Sequence, residues 1–119
     1  MELQRIEGTS AARITGKGML LAEAGDGMDI LSECMSAGVD AAIIPSETVS
    51  PGFVALRTGL AGEVLQKFTT YRVRLAITGN YSEVVSKSLR DFVRESNRQG
   101  NMLFVADEAE ALSVWGMRA

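Results

Sequence analysis

The residues with the clearest chemical potential lie in one run, Leu56-Arg57-Thr58-Gly59-Leu60-Ala61-Gly62-Glu63-Val64-Leu65-Gln66-Lys67-Phe68. A hydroxyl, two glycines and a charged pair fall where an irregular loop turns into an apolar-periodic helix. The first N–H groups of a helix have no intrahelical partner, and its dipole is positive there, so such a start can hold an anion. Thr58 is therefore a candidate phosphorylation site, because an added phosphate gains from those N–H groups. The same hydroxyl can instead cap the helix, worth about 1 kcal/mol. Both uses need the same position, so the sequence leaves both open. Gly59 and Gly62 can admit a ligand or partner to the backbone, or let the helix sit close to a sheet. The Gly-Lys-Thr/Ser ending of a phosphate-binding P-loop is absent. Glu63 can pair with Lys67 four residues on, or line a pocket with Arg57. Asn97 can end its own helix in a left-handed conformation, or reach a ligand.

Other chemistry is excluded by what the chain lacks. It has no histidine, and hence neither the commonest neutral-pH base nor a Ser-His or Cys-His nucleophile pair. Its one cysteine, Cys34, stands among Ile30, Leu31 and Met35 and reads as a buried thiol in a reducing compartment. No second carboxylate sits at a spacing that suits acid–base catalysis with Glu63. No catalytic residue, metal site or cofactor is expected. A net charge of −3 argues against nucleic acid as a partner. Neither a signal-peptide pattern nor a membrane-spanning run is present, so a cytoplasmic protein is expected. The 119 residues suffice for one domain with a single core.

The elements that must position these residues follow from periodicity and punctuation. Residues 2–8 and 11–16 read as a hairpin, and Met19-Leu20-Leu21-Ala22 as a brief third strand. Asp26 or Gly27 can cap a helix running to Ala37, with Ile30, Leu31, Cys34 and Met35 on one face and Gly38 as its stop. Ala41-Ala42-Ile43-Ile44 reads as a strand covered on both faces. Leu56, Leu60, Val64 and Phe68 then mark a helix. Residues 72–78 form the next strand, and Ser82 can cap a helix that buries Val85, Leu89, Phe92 and Val93 and ends at Gly100. Lys87, Arg90, Arg94 and Arg98 make a basic stripe on it, with Asp91 and Glu95 interleaved, which reads as a solvated, self-paired face or as a dock for an acidic protein. Met102 to Val105 is the last strand, and Asp107 caps a terminal helix with Ala111, Leu112 and Trp115. Tyr81 and Trp115 read as packing residues with their polar atoms at the surface. Alternating strands and helices predict an α/β fold: a mixed sheet of four or five strands, the later ones parallel, with about four helices.

The run from Leu56 to Phe68 resembles a bacterial family known as domain of unknown function 4180. The likeness continues through residues 71–79, Ser86-Lys87-Ser88-Leu89-Arg90-Asp91-Phe92, Glu95-Ser96-Asn97-Arg98 and Phe104-Val105, roughly the C-terminal two-thirds. More distantly, the element order is similar to the STAS domain of anti-sigma-factor antagonists. That family carries Asp-Ser-Ser-Gly-Leu before an apolar helix, and Arg57-Thr58-Gly59-Leu60 occupies the comparable position here. The resemblance implies a single STAS-like domain over residues 1–119 and matches Thr58 to the phosphorylated serine. Arg57 replaces the family's acidic residue.

The leading expectation is thus a cytoplasmic regulatory or protein-binding domain without catalysis, switched at Thr58, with an unknown protein as partner. The alternative is a small-ligand or anion-binding domain, or a minor enzyme, with a pocket at Arg57, Thr58, Glu63 and Asn97. A structural homodimer is a third reading. Neither nucleic acid nor membrane is an expected partner.

Overall fold

A computed structural model describes residues 1–53, 59–81 and 86–117, the side chain of Ala24 excepted. Five strands form one sheet: β1 (Glu2–Arg5), β2 (Ala11–Thr15), β3 (Ala41–Pro45), β4 (Arg74–Thr78) and β5 (Met102–Val105). Their spatial order is the chain order, β1-β2-β3-β4-β5. Strand β1 runs antiparallel to β2, with Leu3 opposite Ile14. The remaining pairs are parallel and set Ala12 beside Ala42, Ile44 beside Ile77 and Ile77 beside Phe104. Helices α1 (Ala24–Ala37), α2 (Leu60–Thr70) and α3 (Lys87–Gln99) make the crossovers, and α4 (Glu108–Trp115) follows β5. The expected mixed α/β sheet with parallel later strands and four α-helices is what the described residues form.

A crossover has one preferred hand, so three steps in the same direction across a sheet stack their helices on the same face. Strand alternation then fills two cores. Ala12, Ile14, Ala42, Ile44, Leu75, Ile77, Met102 and Phe104 meet Ile30, Leu31, Cys34, Val64 and Phe68 of the helical layer. Ala11, Ala41, Ile43, Ala76, Leu103 and Val105 turn the other way and are covered by Ala111 and Leu112 of α4. Residues 41–44 are buried on both sides, as their unbroken apolar run requires. Gly27 is the contact of α1 on α2: a Cβ there would stand 3.2 Å from a methyl of Val64.

Five local readings need correction. The cap of α1 is Glu23, and Asp26 closes a capping box by accepting from the Glu23 N–H at 2.9 Å; neither Asp26 nor Gly27 is the cap. Gly38 ends α1 in the left-handed conformation as expected, but Met35 is exposed. Residues 19–22 form no strand. Leu21 makes one isolated bridge to Val49, and the Leu20 and Leu21 N–H groups both donate to the Thr48 carbonyl. The two leucines are apolar because they anchor the loop after β3 into the core, and that loop takes the place of a strand ladder. Helix α3 is capped by Ser86, whose hydroxyl accepts from Leu89 N–H at 3.3 Å. Ser82 and Val85 lie outside the described residues. Finally, Asn97 is an interior residue of α3, and Gly100 supplies the left-handed turn that ends it. By contrast, Asp107 caps α4 through Glu110 N–H as the sequence predicts.

Candidate functional site

The parallel strands all point the same way, which sorts the connections by edge. At their amino ends the links are short: residues 38–40, 71–73 and 100–101. At their carboxyl ends the chain spends residues 16–23, 46–59 and 79–86, and all four helix N-termini face that edge. Loops on a rigid scaffold are where binding groups concentrate, and in parallel sheets the carboxyl edge is the usual place.

Three helix starts there are met by the chain's own side chains. Glu23 and Asp26 close α1, Ser86 caps α3, and Asp107 caps α4 while Glu110 accepts from Ala106 N–H at 2.9 Å. Helix α2 differs. Its N-cap is Gly59, at φ 68°, which offers no side chain. The residue that begins the helix is thus Gly59; Arg57 and Thr58 lie outside the described residues, as does Leu56. Gly59 and Gly62 are both exposed, and no described atom lies within 4 Å of a Cβ at either. Close packing against the described residues is therefore not the reason for either glycine. The left-handed backbone explains Gly59, and Gly62 stands open on the first turn. Glu63 is exposed, its N–H bonded to the Gly59 carbonyl at 3.0 Å. Among the described residues it forms no ion pair with Lys67.

Asn97 sits elsewhere and has a defined task. Helices α2 and α3 run parallel to one another, so Asn97 in the last turn of α3 lies toward the opposite end from Glu63 in the first turn of α2. Its carboxamide accepts from Phe104 N–H at 2.7 Å and donates to Phe104 O at 3.1 Å. The preceding Ser96, buried, donates to the Met102 carbonyl. Strand β5 is an edge strand, and these two side chains occupy its outward groups as a sixth strand would. The structure does not gather Asn97 with Glu63.

A cleft of about 660 Å³ opens on the carboxyl edge beside Gly79, Asn80, Tyr81, Phe104 and Glu110. Tyr81 packs edge-on against Phe104 at 5.4 Å, and burial pushes its phenol up to about 12, so it stays a neutral hydrogen-bonding group. Gly79 is needed here: a Cβ would stand 2.5 Å from Ser46 Oγ. Sequence reading placed Ser46 at the start of the working loop that runs to Gly62, but did not single out Gly79 or Phe104 as site residues. The only signal was their position directly after, or at the end of, an apolar strand.

Elsewhere, several charges are paired. Arg13 holds Glu108 bidentately at 2.9 and 2.6 Å, tying the start of α4 to β2. Arg74 lies 5.2 Å over the Trp115 ring, whose Nε1–H donates to the Gly100 carbonyl at 2.9 Å. The indole nitrogen is thus bonded within the protein and not left to solvent. On α3, Lys87 and Arg94 meet Asp91 at 2.9 and 3.5 Å, and Arg98 meets Glu95. No group of three or more His, Cys, Asp or Glu among the described residues could hold a metal ion.

Cys34 is fully buried in the core under α1, and desolvation pushes its thiol up to about 11. We expect no detectable labelling of the native protein by an aromatic disulfide reagent at pH 8, and one thiol released per chain once guanidinium is added. Rapid native labelling would show that α1 opens readily.

None of the described helices is long and apolar enough to cross a membrane. The chain matches no curated protein and no solved structure. The model of one family, described as Domain of unknown function (DUF4180), matches residues 6–114 and so extends to the first hairpin, beyond the C-terminal two-thirds that carries the motif likeness. This α/β chain belongs to the DUF4180 family.

Proposed function

We propose that the chain is a cytoplasmic, non-catalytic regulatory or protein-binding domain of a bacterial family, working at the carboxyl edge of its sheet and switched by phosphorylation at Thr58. The observation that carries this reading is the start of α2. Where α1, α3 and α4 begin under their own carboxylates or hydroxyl, α2 begins at exposed Gly59, an N-cap residue that has no side chain of its own. A phosphate on the residue that precedes Gly59 in the sequence would gain from the positive helix end, and Gly59 itself brings no competing side chain. The phosphate adds roughly −1.5 to −2 charge, enough to create or abolish a partner surface. The likeness of Arg57-Thr58-Gly59-Leu60 to the STAS pattern supports the same position, and the open Gly62 lets a partner approach the backbone.

The test compares Thr58→Glu with Thr58→Ala as baits in a lysate. Different partner sets are expected; identical sets would end the switch.

The second reading, a small-ligand or anion site, draws on the cleft at Gly79, Tyr81 and Phe104. It leaves out Asn97, whose amide is committed to β5, and Glu63, which lines a separate hollow with Gln66, Lys67, Thr70 and Tyr71; Arg57 and Thr58 remain its candidates. A thermal-shift screen with nucleotides, phosphates and metabolites tests it. A ligand at 100 times its dissociation constant adds about 2.7 kcal/mol. No shift from any compound would count against it.

A further inference from the structure

The helical layer carries opposite charge at its two margins. Strand order places α1 over β2 and β3, α2 in the middle, and α3 over β4 and β5. Helix α1 holds Asp26, Asp29 and Glu33 behind its cap Glu23, and no lysine or arginine. Asp29 and Glu33 are exposed. Helix α3 holds Lys87, Arg90, Arg94 and Arg98 against Asp91 and Glu95. Its pairs use those two carboxylates on Lys87, Arg94 and Arg98, which leaves a cationic surplus on its exposed face.

We infer that this layer is the contact surface of a homodimer, in which α1 of one copy lies against α3 of the other. Symmetry selects that arrangement. A two-fold axis along α2 places each acidic α1 opposite a basic α3 twice over. An axis across the helices would set α1 against α1 and α3 against α3, and like charges in register cost free energy. Along that axis α2 lies against its own copy, Glu63 opposite Glu63 and Lys67 opposite Lys67, so the α1–α3 contacts at the two margins carry the pairing. The occupant is a second copy of this chain because one surface carries both halves of the complement. The inference is independent of Thr58 and of any lysate partner.

Sedimentation velocity on the full chain over a dilution series tests it, at about 50 mM and about 500 mM salt. These concentrations bracket strong and weak screening. A dimer that dissociates at the higher salt is expected. Asp29→Lys with Glu33→Lys makes both margins basic, and Arg90→Glu with Arg94→Glu makes both acidic. Each pair should raise the dissociation constant at least about tenfold. The four changes together leave the net charge at −3 and swap the margins, so dimerisation should return to within about threefold of the parent. Circular dichroism confirms that each variant keeps its helices. A parent that stays monomeric up to about 1 mM, a reversal pair that dimerises like the parent, or a folded four-residue variant that stays monomeric would each overturn the inference.

Discussion

Asn97→Ala is expected to lower the stability of the folded chain by about 2–3 kcal/mol, with a fall in Tm of roughly 8–15 °C. The cost does not come from lost packing. Asn97 meets both the N–H and the carbonyl of Phe104, a residue 3% exposed, and truncation leaves both without a partner. An unmade hydrogen bond in a half-buried site costs more than a made one contributes, because the group has already left water. The variant also opens one edge of the sheet and should aggregate more readily at high concentration. Asn97→Asp discriminates the mechanism. Its carboxylate still accepts from Phe104 N–H but faces the Phe104 carbonyl, which raises its folded-state pKa above the unfolded value. The protonated form can donate, so the variant should be most stable at acid pH and lose that stability as pH rises through the folded-state pKa. Chemical denaturation at two pH values reads this directly. A loss below about 0.5 kcal/mol in Asn97→Ala would show that the edge groups of Phe104 are satisfied elsewhere.

Gly79→Ala is expected to cost about 1–3 kcal/mol by overpacking, although the backbone there has an ordinary φ. The added methyl would stand 2.5 Å from Ser46 Oγ and 2.9 Å from Ser46 Cβ, distances that real contacts do not sustain. Ser46 follows β3 directly through Pro45 and is held by its carbonyl, which accepts from Val49 N–H at 3.0 Å, so the clash cannot relax without moving the loop. The loop in question is the one that leads to Thr58. Ser46→Gly removes both offending atoms. The double variant should therefore be more stable than the sum of the two single changes by at least about 1 kcal/mol. Additive losses in denaturant titrations would show that the two residues do not oppose one another. Any binding at the carboxyl edge should fall with Gly79→Ala and return in the double variant, since the loop position is what changes.

Much of the local structure was legible because its causes are local. Ala41 to Ile44 is apolar at every position and had to be covered on both faces. Gly38 and Gly100 stop their helices through a left-handed backbone that other residues resist, and Asp107 offers an oxygen where the first amides of α4 lack partners. Where reading failed, burial was seen correctly and its partner was not. Leu20 and Leu21 are core residues, yet they bond to Thr48 and not to a strand. Ser96 and Asn97 were read against their own helix because both residue types bond locally, and in the fold they reach β5.

The amino-acid order by itself determined the elements, their sequence and the parallel sheet, since a strand–helix alternation leaves few ways to bury apolar surface. Only the tertiary structure decided which helix start has a glycine as its N-cap, which glycines are hemmed in by described neighbours, and what an amide late in α3 is for. The physical reason is range. Propensity, capping and periodicity act within a few residues, whereas the contacts of Ser46 with Gly79 and Arg13 with Glu108 join positions far apart in the chain and exist only once the sheet has set its register.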